Sequence, residues 1–420
     1  NAAGDRVAIG ALYNDGGGTN SGHTRVFQWN GSSWTQLGSD IDSEAAGDLS
    51  GYSVSLNAVG DRVAIGAPFN DDNGTSSGHT RVFQWDGVGW TQIGSDIDGE
   101  AVGDLSGWSV SLNAAGDRVA IGARNDGTGE NSGHTRVFEW SGVIWAQLGS
   151  DIDGEATGDQ SGYSISLNSA GDRVAIGALY NDGGGTNSGH TRVFQWNGSS
   201  WTQLGSDIDG EAVADLSGYS VSLNSAGDRV AIGARSNDGT GENSGHTRIF
   251  EWNGVSWTQI GSDIDGEAVG DLSGWSVSLN SAGDRVAIGA LWNNGSNGIQ
   301  SGHTRVFQWN GVSWTQLGSD IDGEAARDWS GRSVSLNSAG DRVAIGALSN
   351  DGNGTDSGHT RIFNIETTPA GACLLYQDTT VGSCDRRTWT RQFRIKAETI
   401  GYPLTAFSDT FKIYELRYNG

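Results

Sequence analysis

One short sequence occurs seven times in this chain. Gly4-Asp5-Arg6-Val7-Ala8-Ile9-Gly10-Ala11 returns almost unchanged, with its first glycine at Gly60, Gly116, Gly171, Gly227, Gly283 and Gly340, at spacings of 55 to 57 residues. A fixed period of that size marks a repeat architecture, in which each unit buries its apolar surface against its neighbours. The repeat runs to about residue 364 of 420, so the sequence divides into one large domain, residues 1–364, and a tail, residues 365–420.

Within one unit, residues 51–107, the pattern is that of strands. Ser53-Val54-Ser55-Leu56 alternates small polar with apolar side chains and is followed by a tight turn at Asn57-Ala58-Val59-Gly60; this is strand A. Arg62 to Ala67, strand B, puts Val63, Ile65 and Ala67 on one face and the small Ala64 and Gly66 on the other. A loop rich in Asn, Asp and Gly leads to strand C, Thr80 to Trp85. Asp86-Gly87 then turns the chain into strand D, Trp90 to Ile93; other copies have Asn-Gly there, a strong hairpin signal. No segment reads as helix, and both faces of the meander carry apolar or very small residues, as in a sheet packed between two others. The pattern predicts an all-β fold: a seven-bladed β-propeller of four-stranded antiparallel blades, followed by a β-rich C-terminal tail. An open β-solenoid would have a much shorter period.

Composition narrows the partners. Glycine contributes 68 residues and proline 3, so Gly, Asn, Asp and Ser make the turns. Fifty acids stand against 25 bases, which disfavours nucleic acid and anionic lipid and favours metal cations or a basic partner. No apolar run approaches the roughly 20 residues of a membrane span, and membrane insertion is not expected. Cys373 and Cys384, both in the tail, are expected to form a disulfide in a secreted chain. No signal peptide precedes Asn1, which fits a mature or trimmed extracellular or cell-surface protein. Asn30, Asn73, Asn197, Asn294 and Asn353 head glycosylation sequons, although Asn-Gly is also a plain turn signal.

At Gly51-Tyr52-Ser53-Val54-Ser55-Leu56 and Ile65-Gly66-Ala67-Pro68 the chain resembles the FG-GAP repeats of integrin alpha-subunit propellers and of secreted microbial proteins. The first segment stands where that family has Phe-Gly and the second where it has Gly-Ala-Pro. The resemblance covers residues 1 to about 364 and implies a propeller fold. The family's calcium loop between strands A and B, of the Asp-x-Asp-x-Asp-Gly kind, is replaced here by Asn-Ala-Ala-Gly-Asp or a close variant. One carboxylate per turn cannot supply the six to eight oxygens calcium takes.

Acids cluster instead between strands D and A. Six loops carry four each: Asp40, Asp42, Glu44 and Asp48; Asp96, Asp98, Glu100 and Asp104; Asp151, Asp153, Glu155 and Asp159; Asp207, Asp209, Glu211 and Asp215; Asp263, Asp265, Glu267 and Asp271; Asp320, Asp322, Glu324 and Asp328. Two readings stand: the acids converge on calcium, the one cofactor the sequence offers, or they cap loop amides. All seven histidines (His23, His79, His134, His190, His246, His303 and His359) occupy one position, in Gly-His-Thr-Arg at the start of strand C, and read as a structural side chain copied with the blade. The Gly-Asp-Arg pair reads as a fixture of the turn and of the contact between blades. Trp pairs such as Trp29 with Trp34 read as cross-strand packing, whereas Trp108, Trp275, Trp292 and Trp329 break the repeat and are better binding candidates.

No nucleophile elbow, local His-rich metal motif or phosphate loop is present, and the polar residues recur in equivalent copies where an enzyme needs an asymmetric constellation. The expectation is therefore a non-enzymatic extracellular adhesion or assembly module, binding copies of itself or other matrix and surface proteins, with a glycan-binding propeller as the alternative. Residue 1 aligns just after strand A, and no strand D follows Thr360-Arg361-Ile362-Phe363, so the repeats provide 26 strands where 28 complete the ring. Residues 1–364 hold 18 bases against 44 acids and the tail seven against six. Electrostatics thus favours docking the tail on a propeller, closing its own ring or completing a neighbour's in a head-to-tail polymer.

Overall fold

The computed structural model describes residues 1–125 and 131–365. They form seven antiparallel sheets and no helix, a seven-bladed β-propeller. Blade 2 is typical. Strand A (Ser53–Leu56), B (Arg62–Ala67), C (His79–Trp85) and D (Trp90–Gln92) lie side by side in chain order. A two-residue strand, Ile97–Asp98, adds to the same edge of strand C as strand D, pairing with Thr80 and His79 while D pairs with Phe83, Gln84 and Trp85. This fifth strand was not anticipated. It arises because the loop after strand D turns back beside the histidine end of strand C, carrying its acids with it.

Small and large faces explain how the blades stack. Ala64, Val82 and Ile97 of blade 2 pack with Val110, Leu112, Val119, Ile121 and Phe138 of blade 3 in one buried cluster, and the equivalent residues repeat it at the next boundaries. Full burial of each such Val or Ile contributes about 1.5–3 kcal/mol. The glycine of strand B is fixed by space. A Cβ at Gly177 would lie 2.0 Å from the carbonyl oxygen of Gly218, at the start of the next blade's strand A, and the same approach occurs at Gly66, Gly122, Gly233 and Gly289. The Trp pairs are cross-strand neighbours, Trp29 opposite Trp34 with ring centroids 5.6 Å apart. The indole of Trp90 also donates to Leu37 O of the preceding blade at 2.8 Å.

The ring closes at the tight turns. Ala2 N donates to Ala58 O, Ala58 N to Ala114 O, and so on through Ser169, Ser225, Ser281 and Ser338, whose N donates back to Ala2 O at 3.1 Å. A second circle runs beside it. Each arginine of the Gly-Asp-Arg motif donates through Nη1 to a glycine carbonyl of the next blade, as Arg62 does to Gly116 at 2.9 Å, and Arg342 completes the circle on Gly4 at 2.9 Å. Blade 1 lacks strand A and blade 7, among the described residues, lacks strand D. Strand Arg6–Ala11 is correspondingly half-buried where Val63 to Ala67 of the next blade are buried. Closure nonetheless uses the turns of this chain, through Ser338 to Ala2 and Arg342 to Gly4. Residues 366–420, with the expected disulfide of Cys373 and Cys384 and the β-rich tail, lie outside the described residues.

Space at the strand B glycine gives a direct test. Gly177→Ala is expected to lower stability by about 1–3 kcal/mol, the range for forcing an added methyl into packed structure. Gly89→Ala, in an open hairpin with no atom near the added methyl, is expected to stay within about 0.5 kcal/mol. Urea denaturation of both variants checks the contrast; equal midpoints would contradict the packing account.

Candidate metal centre

The four acids of one loop are not brought to one point. In the loop after blade 2, Asp104 is buried and its Oδ2 accepts from the backbone N–H groups of Glu100 and Ala101 at 2.8 and 2.7 Å. Asp96 accepts from the Gln92 amide at 2.6 Å. The backbone oxygen of Asp98 accepts from Arg136 of blade 3 at 2.6 Å, and Glu100 faces the same guanidinium at 3.5 Å. The other loops repeat this division. Asp48, Asp159, Asp215 and Asp328 likewise accept loop N–H groups, so the fourth acid caps its loop.

The histidines reorganise the remaining acids. His190 takes Glu155 from the loop before its blade and Asp207 from the loop after it, all ligand atoms lying within 4.8 Å of one another. Glu211, His246 and Asp263 form the same set, as do Glu267, His303 and Asp320; Asp72 joins Glu44, His79 and Asp96 as a fourth member. Blade 1 brings His23 to Asp40 and Asp42. In blade 7, His359 Nδ1 faces Glu324 at 3.5 Å. Blade 3 brings no third ligand to His134 among the described residues. Reading each loop of acids as a unit hid these groups, because the sets at His79, His190, His246 and His303 each draw on two loops and a strand.

Burial and charge keep His79 and His190 as bare bases. His190 is 1% exposed, and neither of its ring nitrogens has a hydrogen-bond partner; the same is true of fully buried His79. Nδ1 of His190 stands 3.8 Å from Glu155 Oε2, too far for a hydrogen bond. Ligands of a tetrahedral ion held at about 2.0–2.1 Å are separated by about 3.4 Å, so small side-chain rotations would bring both atoms onto one ion. Glu155 is held from behind by Arg192, whose Nη1 lies 3.5 Å from Oε1 and whose Nη2 donates to Asp153 O at 2.6 Å. Burial, helped by the Arg192 charge, lowers His190 to about 4. Burial raises Glu155, Glu211 and Glu267 against the pull of their arginines. Asp209 is raised by burial and by Asp207.

One of these sets opens onto a cleft. A cavity of about 520 Å³ is lined by Glu155, Asp159, Asp182, Asp207 and Asp209 together with Tyr180 and backbone of both loops, and no basic side chain lines it. Its lining residues Glu155 and Asp207 belong to the His190 set. A neutral imidazole and two carboxylates beside an open space can hold a divalent ion with a position left for water or substrate. The glycosylation candidates lie elsewhere: Asn30 and Asn197 are exposed hairpin residues, and the Asn73 amide donates to Gly99 O at 2.7 Å.

No family model matches the chain, and no curated protein matches it either, so the FG-GAP resemblance rests on its own residues. Solved structures do match. A candidate 6-phosphogluconolactonase of Bacteroides uniformis superimposes with a TM-score of 0.57 at 12% identity, over 83% of this chain and 90% of its own. One from Bacteroides fragilis gives 0.57 at 11%, over 86% and 91%. A hypothetical selenium-binding protein of Sulfolobus tokodaii gives 0.55 at 10%, over 86% and 87%. At these identities the likeness is one of fold. It corrects the expectation of a non-enzymatic adhesion, assembly or glycan-binding module: two of these propellers are named for an enzymatic activity, so a symmetric repeat is no argument against catalysis.

The buried histidine gives a pH test in metal-free protein. An imidazole at 6.5 when unfolded and about 4 when folded binds more protons in the unfolded chain between those values. Its contribution to stability is therefore present above pH 6.5 and lost as the pH falls toward 4; the raised glutamates act with opposite sign. Histidine NMR resonances should show His190 still neutral at pH 5.5. Titration near 6.5 would contradict its burial.

Proposed function

We propose that this propeller binds divalent transition-metal ions in its Glu-His-Asp sets, and that the ion at Glu155, His190 and Asp207 serves hydrolysis of an uncharged ester or lactone in the adjoining cleft. The observation that carries the reading is the buried His190 Nδ1, which faces two carboxylates without a hydrogen bond. A nitrogen ligand among carboxylates suits zinc or manganese better than calcium, which prefers six to eight oxygens. Glu155, His190 and Asp207 would hold the ion, which would supply an activated water; water adding to the carbonyl carbon with loss of the leaving oxygen gives acid and alcohol. Asp209, raised by burial and lining the cleft, is the group in position to accept the water's proton. The solved propellers named as candidate lactonases support this reaction class, while the all-acidic lining opposes a phosphorylated substrate such as theirs.

Reconstitution tests both parts. Metal-free protein is expected to take up several zinc ions per chain, and His190→Ala to lose one of them with little change in the rest. Zinc is expected to start hydrolysis of a neutral lactone, gluconolactone, and His190→Ala or Glu155→Gln to reduce it by at least 100-fold. Equal zinc uptake by wild type and His190→Ala would remove the site; zinc uptake without hydrolysis would remove the reaction and leave the site.

A further inference from the structure

The repeat is least uniform at the mouth of its central channel. In the Ser-Gly-X-Ser segment that begins each strand A, X is Tyr52, Trp108, Tyr163, Tyr219, Trp275 and finally Arg332. Consecutive strands A pack against one another around the axis, and X follows the long loop, so these side chains meet on the acidic face. Centroids of successive rings are 4.5, 5.6, 5.0 and 4.8 Å apart, with planes tilted by 43 to 54°, inside the range of favourable aromatic pairs. The last aromatic, Trp275, carries the Arg332 guanidinium 5.3 Å from its centroid.

Three arginines that stand outside the repeated motifs gather here. Of the 18 in residues 1–364, 14 stand in Gly-Asp-Arg or His-Thr-Arg and belong to the blade contacts. Of the remaining four, Arg124 lies 3.9 Å over Trp108, Arg235 lies 4.4 Å over Tyr219 and 4.9 Å from Trp275, and Arg332 is the third. None of the three makes an ion pair among the described residues, although acids outnumber bases more than twofold in this domain. The Nε atoms of Arg124 and Arg235 and Nε1 of Trp275 are buried donors without an acceptor. Stacking uses the faces of the guanidiniums and leaves their edges free to donate.

We infer that the channel mouth is a binding site for a small organic oxyanion carried on a ring: the oxyanion accepts from the free edges of Arg124, Arg235 and Arg332, and the ring stacks on the half-buried aromatics. Cationic donors with no counter-ion among the described residues, beside an aromatic wall, match that pairing. The site stands apart from the metal sets and shares no residue with them, so it does not depend on the hydrolytic reading.

Benzoate is the probe, with benzamide as the ring without charge and inorganic phosphate as the charge without ring, titrated against metal-free full-length protein at low salt while tryptophan fluorescence is followed. Saturable quenching by benzoate is expected, at least tenfold tighter than by either of the others. Arg235→Gln and Arg124→Gln should each weaken benzoate about tenfold with an unchanged melting temperature. Equal binding of benzoate and benzamide would show an apolar patch only and overturn the proposal, as would equal binding of phosphate, unaltered affinity in both variants, or no saturable binding. The wild-type comparison decides even if a variant fails to fold.

Discussion

Everything in this propeller hangs on the contact between one blade's Gly-Asp-Arg turn and the next. An arginine donates to a glycine carbonyl across each boundary, and a backbone hydrogen bond links the same two turns. A hydrogen bond from a charged donor contributes about 1.5–3 kcal/mol net, but the effect on geometry matters more. Seven identical contacts impose one rotation per repeat, and the circle closes because the seventh, Arg342 to Gly4, is made like the others. Glycine in strand B lets the blades approach until backbone nearly touches backbone.

With the tight-turn face committed to holding the ring, the long-loop face is left to carry chemistry. At four boundaries a glutamate from one loop, an aspartate from the next and a histidine from the strand between them come together, around His79, His190, His246 and His303. The same arginine that anchors the glutamate helps depress the imidazole, so both donors stay poised for a cation rather than for each other. Local departures then set individual copies apart: a cleft lies beside Glu155, Asp207 and Asp209, and Arg124, Arg235 and Arg332 stack on the aromatics at the starts of strands A.

The fold was legible from sequence because every copy repeats the same strand pattern and one period governs them all. Val63, Ile65 and the Gly66 between neighbours could be assigned from alternation alone. The two-residue strand Ile97–Asp98 could not, since two residues carry no period. The site was only half legible. Asp104 is adjacent in sequence to the amides it caps, and that role was foreseen as one alternative. Glu155, His190 and Asp207 are 35 and 17 residues apart and converge only through the inter-blade register, a relation that no local motif encodes. The one available signal was that each histidine precedes the first acid of the following loop by 17 residues in all six copies. Trp108 and Trp275 stand out in the sequence as breaks in the repeat, but the arginines stacked on them became visible only once the blades were packed.

The central claim is that the inter-blade sets are metal sites. Crystals grown with zinc, with diffraction recorded on both sides of the zinc absorption edge, test it most directly. The account predicts anomalous peaks between the carboxylates and Nδ1 of His79, His190, His246 and His303, with Glu44, Glu155, Glu211 and Glu267 rotated onto them. Ordered water in those positions, with no anomalous signal at saturating zinc, would contradict it.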